Sequence, residues 1–172
     1  MRKQVAIGSL DTPIGRLWMA CSEQGVCKLV FPGEGAKAMI ERWLAVHQPT
    51  HTLTSAKTLL ERTEAELDEY FEGTRRAFTL PLDFQGSAFQ QRVWRALTHI
   101  PHGHTTSYGK LAHRLDAPKA ARAVGAACGA NPVPIIAPCH RVLGSDGSLH
   151  GFGGGLPVKA WLLRHEGVLL DL

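Results

Sequence analysis

Two residues that could carry out nucleophilic chemistry, Cys139 and His140, stand side by side and are followed by Arg141. A free thiol has a pKa of about 8.5, so only a few per cent is thiolate at neutral pH, and a nearby imidazole can remove its proton. Because neighbouring side chains diverge in an extended segment, we expect a water molecule to bridge the two. The alternative is a buried, inert cysteine, with Arg141 as a local ion-pair partner.

A third group, Glu166, lies near the C-terminal end of a helix predicted from about Pro157 to Gly167. The helix macrodipole disfavours a negative charge there, so we expect Glu166 to have a compensating partner. If that partner is a histidine, the three side chains form a Cys–His–Glu relay. A solvated surface glutamate is the other interpretation.

The segments on either side of Cys139 should shape a site around it. Three prolines in NPVPIIAPCHRV, residues 131–142, predict a stiff, extended approach. Asp146-Gly147 predicts a hairpin turn between Val142-Leu143 and Leu149. The following GFGGG, residues 151–155, has neither the dinucleotide-binding nor the phosphate-binding spacing. It is either a flexible loop or a backbone surface against which a flat ligand can lie.

The helices that precede this segment have the pattern of a helix-turn-helix. Ser87 and Gln90 form a predicted capping box, Ser107 caps a short helix to Leu115, and a further helix runs from Pro118 to about Gly129. That last helix, PKAARAVGAACGA, carries Arg122 as its only long polar side chain after Lys119. It is either a slim core helix or one whose backbone can press into a narrow groove, with one inserted side chain.

The first half of the chain predicts a small α/β domain without a reaction centre. Strands at 4–8, 17–21 and 26–31 suggest an antiparallel meander, and two helices follow at about 35–46 and 55–72. Residues 79–84 predict a last strand. Residues 83–87 are the expected linker, which divides the chain into a support domain at 1–84 and a second domain at 85–172 that carries Cys139 and the predicted helix-turn-helix.

Composition and charge exclude a disordered protein and favour some kinds of partner over others. The 172 residues are 44% hydrophobic and 20% charged, which excludes disorder. Residues 1–86 hold 10 Lys+Arg against 11 Asp+Glu, whereas residues 87–172 hold 9 against 4, so the second half is basic and favours a polyanionic partner. The N-terminus has no export signal and no apolar run could span a membrane, so we expect a cytoplasmic protein. Four scattered cysteines predict reduced thiols and no metal site.

Several of these segments together resemble the O6-alkylguanine-DNA alkyltransferases, also called methylated-DNA–protein-cysteine methyltransferases. The matching segments are AARAVG at 120–125, Asn131-Pro132, PCHRV at 138–142, the GFGGG loop, and Lys159…WLL…Glu166-Gly167. The resemblance is close over about 89–167 and looser in the first half. It implies a ribonuclease-H-like α/β domain followed by a mostly helical, winged-helix-like domain with the helix-turn-helix.

The resemblance implies a direct, single-turnover DNA repair reaction without a cofactor. Cys139 would accept the alkyl group from O6-alkylguanine, or from O4-alkylthymine, after the nucleotide has flipped out of the duplex. His140 would be the base through a water, held by Glu166. Tyr108 would contact the 3′ phosphate and the guanine, and Asn131 would be the hinge between the recognition helix and the active-site loop.

The resemblance also implies the contacts to DNA and to the base. Arg122 would fill the hole that the flipped nucleotide leaves, and the slim helix around it would enter the minor groove of double-stranded DNA; its residues are Ala121, Ala123 and Gly125. The backbone of Cys139 and Val142 would accept from the exocyclic amine of the base. Phe152 would stack on the base and the Gly153 amide would face O6. The protein would act as a monomer.

Three positions depart from common members of the family. Phe152 replaces a frequent tyrosine, Gly153 replaces an occasional serine, and Leu80 stands near a zinc ligand of some eukaryotic members, so we expect no zinc here. Three other classes of protein share some of these features. A non-catalytic alkyltransferase-like protein lacks the cysteine, and a helix-turn-helix regulator needs base-reading side chains. A cysteine hydrolase that uses Cys139, His140 and Glu166 would turn over many times.

Overall fold

The computed structural model describes residues 3–33, 35–49, 54–168 and 170, which form two compact units, Met1–Phe84 and Gln85–Leu172. The first unit contains a four-stranded sheet of β1 (Lys3–Thr12), β2 (Gly15–Cys21), β3 (Val26–Val30) and β4 (His47–Pro49). Its order is β3-β2-β1-β4. Strand β2 is antiparallel to both β1 and β3, as predicted for the meander, while β4 runs parallel to β1.

Two helices complete this unit, α1 (Ala36–Leu44) and α2 (Thr54–Glu72). Helix α2 packs on the three antiparallel strands and buries its apolar side chains there. The core consists of alternate strand residues and one face of α2, among them Leu17, Met19, Val26, Leu67 and Tyr70. On the other face of the sheet, Val5, Ala20 and Cys27 form a second buried cluster that packs with Trp43 of α1. Apolar burial against both helices therefore accounts for the unit.

The predicted last strand at residues 79–84 is wrong. Only Leu82 forms a bridge, a parallel one to Val26. The Val26 amide donates to the Pro81 carbonyl and the Asp83 amide donates to the Val26 carbonyl, at 2.9 and 3.0 Å. Pro81 has no N–H to extend this pairing, so the segment crosses the sheet edge without becoming a regular strand.

The second unit is mainly helical. It contains α3 (Ala88–Leu97), β5 (Thr106–Ser107), α4 (Tyr108–Arg114), α5 (Ala121–Gly129), β6 (Val142–Leu143) and α6 (Leu156–His165). The predicted caps are confirmed. Ser87 and Gln90 form the capping box of α3, and the Ser107 hydroxyl accepts from the Lys110 amide at the start of α4.

Helices α4 and α5 form the helix-turn-helix, and both are anchored on α3. The Trp94 indole N–H donates to the Ala127 carbonyl at 2.8 Å, and the Arg92 guanidinium donates to the Leu115 carbonyl at 2.6 Å. Helix α5 begins at Ala121 rather than at Pro118. Asp116, at φ 56°, turns the chain sharply before the turn at Pro118-Lys119. The position of α5 is thus fixed by side chains of α3.

Two predictions for the segments around Cys139 are wrong. Residues 131–138 form turns rather than an extended approach, and Ile135 has φ 71°, in the left-handed region that β-branched residues avoid. Strand β6 pairs in parallel with β5, not with Leu149. The Asp146-Gly147 turn is closed instead by the Gly144 amide, which donates to the Ser148 carbonyl at 2.9 Å.

In the part of the chain that the structure describes, no helix combines the length and the apolar character that a membrane span requires.

The crossing at Pro81 predicts a steric requirement at Gly25. A Cβ there would lie 2.7 Å from the Pro81 carbonyl oxygen and from the Leu82 carbonyl carbon, both of which are backbone atoms. We expect Gly25→Ala to lower the free energy of unfolding by about 1–3 kcal/mol in urea denaturation. Gly35→Ala is the control, because nothing lies within 4 Å of its Cβ, and it should cost less than about 1 kcal/mol. Equal losses in both variants would contradict the close packing.

Candidate active site

A buried carboxylate, Glu166, lies at the centre of the candidate site. It is 5% exposed at the C-terminal end of α6, and the single 3₁₀ turn Cys139–Arg141 packs against it. Glu166 Oε1 lies 2.7 Å from His140 Nε2 and accepts from Arg141 Nη2 at 2.8 Å, while Oε2 accepts from Arg141 Nε at 2.8 Å. Glu166 therefore has the compensating partner that the sequence predicts, but this partner is a pair of residues, a histidine and an arginine.

The contact with Glu166 defines the tautomer of His140. Hydrogen bonds from His140 and Arg141 hold the pKa of Glu166 far below its usual range despite burial. The ionised carboxylate can only accept, so the proton of a neutral imidazole resides on Nε2. Nδ1 is then an unprotonated acceptor, and this buried atom has no hydrogen-bond partner within the described residues.

Burial and nearby cations keep His140 neutral. The ring is fully buried, and its removal from water lowers its pKa, although Glu166 acts in the opposite direction. The positive charges of Arg141 and Lys159 lower the pKa further. His140 is therefore a neutral base at physiological pH.

Cys139 is a buried thiol, 6% exposed, at the first position of the same 3₁₀ turn. Burial raises its pKa above the ordinary value, whereas a hydrogen bond with the Asn131 side chain and the charge of Lys159 act to lower it. The resting group is therefore a neutral thiol. Reactivity requires a base that can take the proton, together with nearby dipoles and a cation that stabilise the thiolate.

Asn131 holds the turns that lead to Cys139. Its Nδ2 donates to the Ala137 carbonyl at 2.8 Å, and its Oδ1 accepts from the Val133 amide at 3.0 Å. These two bonds close the segment in which Ile135 has its unusual backbone angle. One side chain thus links the end of α5 to the loop that carries the thiol.

Lys159, on α6, is a buried cation that the sequence interpretation did not assign. It is 1% exposed, and its Nζ donates to the Val142 carbonyl at 2.8 Å and lies 5.9 Å from the centre of the Tyr108 ring. Its position within the apolar stretch VKAWLL was the available signal, because a lysine on a buried helical face needs a specific partner. The sequence predicts only a local ion-pair partner for Arg141, whereas in the structure Arg141 donates two hydrogen bonds to Glu166.

A pocket of about 640 Å³ opens beside this cluster. Its walls come from Tyr108 at the start of α4, from α5 and from the turn after β6; the lining residues on the last two are Ala121, Arg122, Gly125, Gly129, Gly144, Ser145, His150 and Gly151. A Cβ at Gly125 would lie 3.8 Å from the Tyr108 ring, an ordinary van der Waals distance, so α5 and Tyr108 are close neighbours in this wall. Burial raises the pKa of Tyr108 to about 12 and keeps its hydroxyl protonated as a donor.

Of the other residues that the sequence predicts for the site, some line the pocket and others do not. Arg122 and Ala123 are exposed on α5, and Arg122 lines the pocket whereas Ala123 does not. Phe152 and Gly153 also lie outside its lining, and Val142 is fully buried with its carbonyl bonded to Lys159. The structure thus brings Cys139, His140, Glu166 and Asn131 together and sets Tyr108 and Arg122 on the pocket.

The other cysteines and the possible metal ligands were compared with this cluster within the described residues. Cys21, Cys27 and Cys128 are buried thiols that form no disulfide, as is Cys139. Within residues 3–33, 35–49, 54–168 and 170, no group of three or more His, Cys, Asp or Glu side chains could hold a metal ion.

Both units of the chain match domain models of one protein family. Residues 5–84 match the family model described as "6-O-methylguanine DNA methyltransferase, ribonuclease-like domain", and residues 88–168 match the model of its DNA binding domain. A Shigella flexneri methylated-DNA--protein-cysteine methyltransferase is 43% identical over 170 residues, which cover 94% of this chain and 95% of that protein.

Solved structures agree with the sequence matches. The crystal structure of a Mycobacterium tuberculosis O6-methylguanine methyltransferase is 39% identical, with a TM-score of 0.80, and the match covers 94% of this chain and 92% of that one. A Mycobacterium tuberculosis structure in complex with DNA is 38% identical, with a TM-score of 0.79 and the same coverage.

Because Glu166 bonds to both His140 and Arg141, we expect Glu166→Gln to lower the free energy of unfolding by a large amount that depends on pH. The amide leaves the buried Arg141 unneutralised, so we expect a loss of about 3–5 kcal/mol in the free energy of unfolding at pH 7. Since the folded-state pKa of Glu166 is depressed, its stabilisation is fully present above the ordinary value of 4.5 and declines as pH falls below it. The difference between wild type and variant should therefore shrink between pH 5 and pH 3.

The matched control for this comparison is Glu69→Gln, because Glu69 is a half-exposed carboxylate paired with Arg75 at 2.8 Å. It should cost less than about 1 kcal/mol at neutral pH. Denaturant titrations of the three proteins across this pH range measure both effects. A difference for Glu166→Gln that is small, or that grows as pH falls, is incompatible with an ionised, shared carboxylate.

Proposed function

The chain belongs to the 6-O-methylguanine DNA methyltransferase family, and from this premise we propose that Cys139 is the residue that accepts the alkyl group, with His140 as its base. The supporting observation is the buried thiol beside a neutral imidazole whose Nδ1 has no partner among the described residues. Cys128, the other free thiol of the second unit, has no adjacent histidine in the sequence.

Family membership defines the reaction and the fold. The protein is a DNA repair enzyme, a methylated-DNA–protein-cysteine methyltransferase, which transfers an alkyl group from O6-alkylguanine in DNA to its own cysteine. The expected fold class is confirmed, with a ribonuclease-like α/β domain followed by the DNA-binding domain that carries the helix-turn-helix. DNA is its partner.

The first step is deprotonation of Cys139. The proton leaves Sγ and reaches His140 Nδ1 through one bridging water. With this water in place, the two adjacent side chains of the 3₁₀ turn do not have to be in direct contact. The imidazolium that forms is stabilised by the Glu166 carboxylate at 2.7 Å. Lys159 and the Asn131 side chain stabilise the thiolate, since both act to lower the pKa of Cys139.

The second step is displacement at the alkyl carbon. The Sγ–carbon bond forms while the carbon–O6 bond breaks, and the electron pair of that bond stays on the guanine. Donors at the base stabilise this developing negative charge, and the Tyr108 hydroxyl and the Gly153 amide are suited to the role. The guanine then takes up one proton, so that unmodified guanine and an S-alkylcysteine are the products.

The product explains why one molecule repairs one base. A thioether is not readily hydrolysed, and the relay regenerates no free thiol at Cys139. The protein is therefore consumed in the reaction, unlike a cysteine hydrolase, whose acylated intermediate reacts with water.

Helix α5 is the element suited to enter the DNA. Its exposed face carries Arg122 among small residues, so its backbone can approach a narrow groove closely, and we assign it to the minor groove. Arg122 replaces the stacking and pairing of the flipped nucleotide and offsets part of the few kcal/mol that flipping costs. The supporting small residues are Ala121, Ala123 and Gly125, and Phe152 stacks on the base.

The protein acts as a monomer in the cytoplasm, and its binding to DNA weakens as the salt concentration rises.

The acceptor assignment is tested by the mass of the protein after reaction with a duplex that contains O6-methylguanine. Wild type should gain one methylene equivalent, about 14 Da, on the peptide that contains Cys139. Cys139→Ala should show no gain and still bind the duplex. Cys128→Ala is the control and should gain the same mass as wild type. A gain on any other cysteine would sink the assignment.

The role of Arg122 is tested by comparing two substrates. Arg122→Ala should slow methyl transfer from duplex DNA by about tenfold or more, because the vacated stack is no longer filled. Its reaction with O6-benzylguanine as a free base should change much less, since no nucleotide has to be flipped. Arg95→Ala, on α3, is the control for loss of a positive charge. Equal losses on duplex and free base would contradict the assignment.

A further inference from the structure

Two buried side-chain polar atoms have no hydrogen-bond partner within the described residues. One is His140 Nδ1, which takes the thiol proton in the proposed reaction, and the other is the hydroxyl oxygen of Thr106. Thr106 is 7% exposed and begins β5. A buried hydroxyl without a partner is unfavourable, and a valine would fill the same space without a polar atom. Proteins usually satisfy such a group with an ordered water molecule.

The pairing of β5 with β6 places Thr106 beside the turn that carries the thiol. In this parallel pair Thr106 lies opposite Val142, the residue that directly follows Arg141. The Val142 amide donates to the Cys139 carbonyl and so closes the 3₁₀ turn. Thr106 is therefore the neighbour of the residue that ends the segment of the thiol and its base.

The chain that leads to Thr106 is also held against the buried cluster. The Ile100 carbonyl accepts from Arg141 Nη1 at 2.5 Å. A Cβ at Gly103 would lie 3.3 Å from the Glu166 carbonyl oxygen. The segment from Ile100 to Thr106 thus contacts the cluster at its beginning, its middle and its end, which fixes the position of the Thr106 side chain relative to the site.

A single water molecule can satisfy both unpartnered atoms. A buried water typically makes about three hydrogen bonds. The water that carries the proton already has two partners, because it accepts from the Cys139 thiol and donates to His140 Nδ1. One proton and one lone pair of this water are left, and a hydroxyl group can accept the first or donate to the second. The Thr106 hydroxyl is a buried group of this kind.

We propose that Thr106 is a positioning residue whose hydroxyl is the third partner of the water between Cys139 and His140. This inference rests on the proposed function, because it assumes that Cys139 is the acceptor and His140 its base. The water takes the proton from Sγ and gives one of its own to Nδ1, so it is regenerated. Thr106 exchanges no proton. It orients the water, and its loss slows proton transfer without weakening the binding of DNA.

The test compares two substitutions of Thr106 in methyl transfer from a duplex that contains O6-methylguanine. Thr106→Val replaces the hydroxyl by a methyl group of similar size, whereas Thr106→Ser keeps the hydroxyl. At pH 7 and saturating protein, Thr106→Val should lower the single-turnover rate constant about tenfold or more, because the water is no longer aligned. Thr106→Ser should react at close to the wild-type rate. The affinity of both variants for the duplex should equal that of wild type, which also shows that they are folded. Thr105→Val, at the exposed preceding residue, is the matched control and should change neither quantity.

The pH dependence of the rate separates positioning from packing. The lowered pKa of His140 keeps the ring neutral from pH 7 to pH 9, so the wild-type rate should change little over this range. Without the aligned water, the thiolate forms by loss of the proton to solvent. Because burial raises the pKa of Cys139, the thiolate fraction and the rate of Thr106→Val should rise with pH, and its deficit should shrink.

Other ionisable side chains near the thiol and its base do not distort this comparison. They are Tyr108, Cys128, Arg141, Lys159 and Glu166. All of them are present in both proteins, so their titration cancels in the ratio of the two rates.

Three results would overturn the proposal. The first is a Thr106→Val variant that reacts as fast as wild type at pH 7. The second is a Thr106→Ser variant as slow as Thr106→Val, and the third is a deficit that does not change with pH, since lost packing would explain either. If wild type itself gains no methyl group on Cys139, the proposed function fails and this inference fails with it. If wild type reacts there, only the role of Thr106 is at stake.

Discussion

The proposed chemistry of this protein depends on one buried carboxylate that two neighbouring residues share. Glu166 accepts one hydrogen bond from His140 and two from Arg141, inside a site from which water is largely excluded. A buried carboxylate is unfavourable unless it is paired, and removal of either partner leaves an uncompensated charge. The same contact joins the end of α6 to the turn that carries Cys139, so the stability of the second unit and the orientation of the base have one origin.

Arg141, which shares Glu166 with His140, also influences the basicity of the His140 imidazole. Burial is the main cause of the lowered pKa of His140, and the positive charge of Arg141, which donates two hydrogen bonds to Glu166, lowers that pKa further. The result is a neutral imidazole and a neutral thiol at rest, in place of a preformed ion pair. A neutral resting pair is suited to a protein that reacts once, because a permanently exposed thiolate would be open to oxidation and to unrelated electrophiles. In the proposed mechanism, the thiolate forms only when the alkylated base is bound in the site.

The sequence predicted the chemical groups better than it predicted the backbone that holds them. The capping side chains of α3 and α4, the meander and the positions of the thiol and its base follow from local residue types, which act over three or four residues. The segment after Asn131 was predicted wrongly, because three prolines favour an extended chain, whereas the Asn131 side chain folds it into turns by donating to the Ala137 carbonyl and accepting from the Val133 amide. The pairing of β6 with β5 and the burial of Lys159 depend on distant partners, which local patterns do not contain.

The central claim is that His140 is a neutral base whose proton resides on Nε2 and whose Nδ1 is free to accept the thiol proton. Nitrogen-15 NMR of the histidine rings in the unreacted protein measures this directly. We predict a His140 signal of the neutral Nε2–H tautomer at pH 7 that persists below the ordinary histidine pKa of about 6.5. An imidazolium at pH 7, or a neutral ring protonated on Nδ1, would contradict the account.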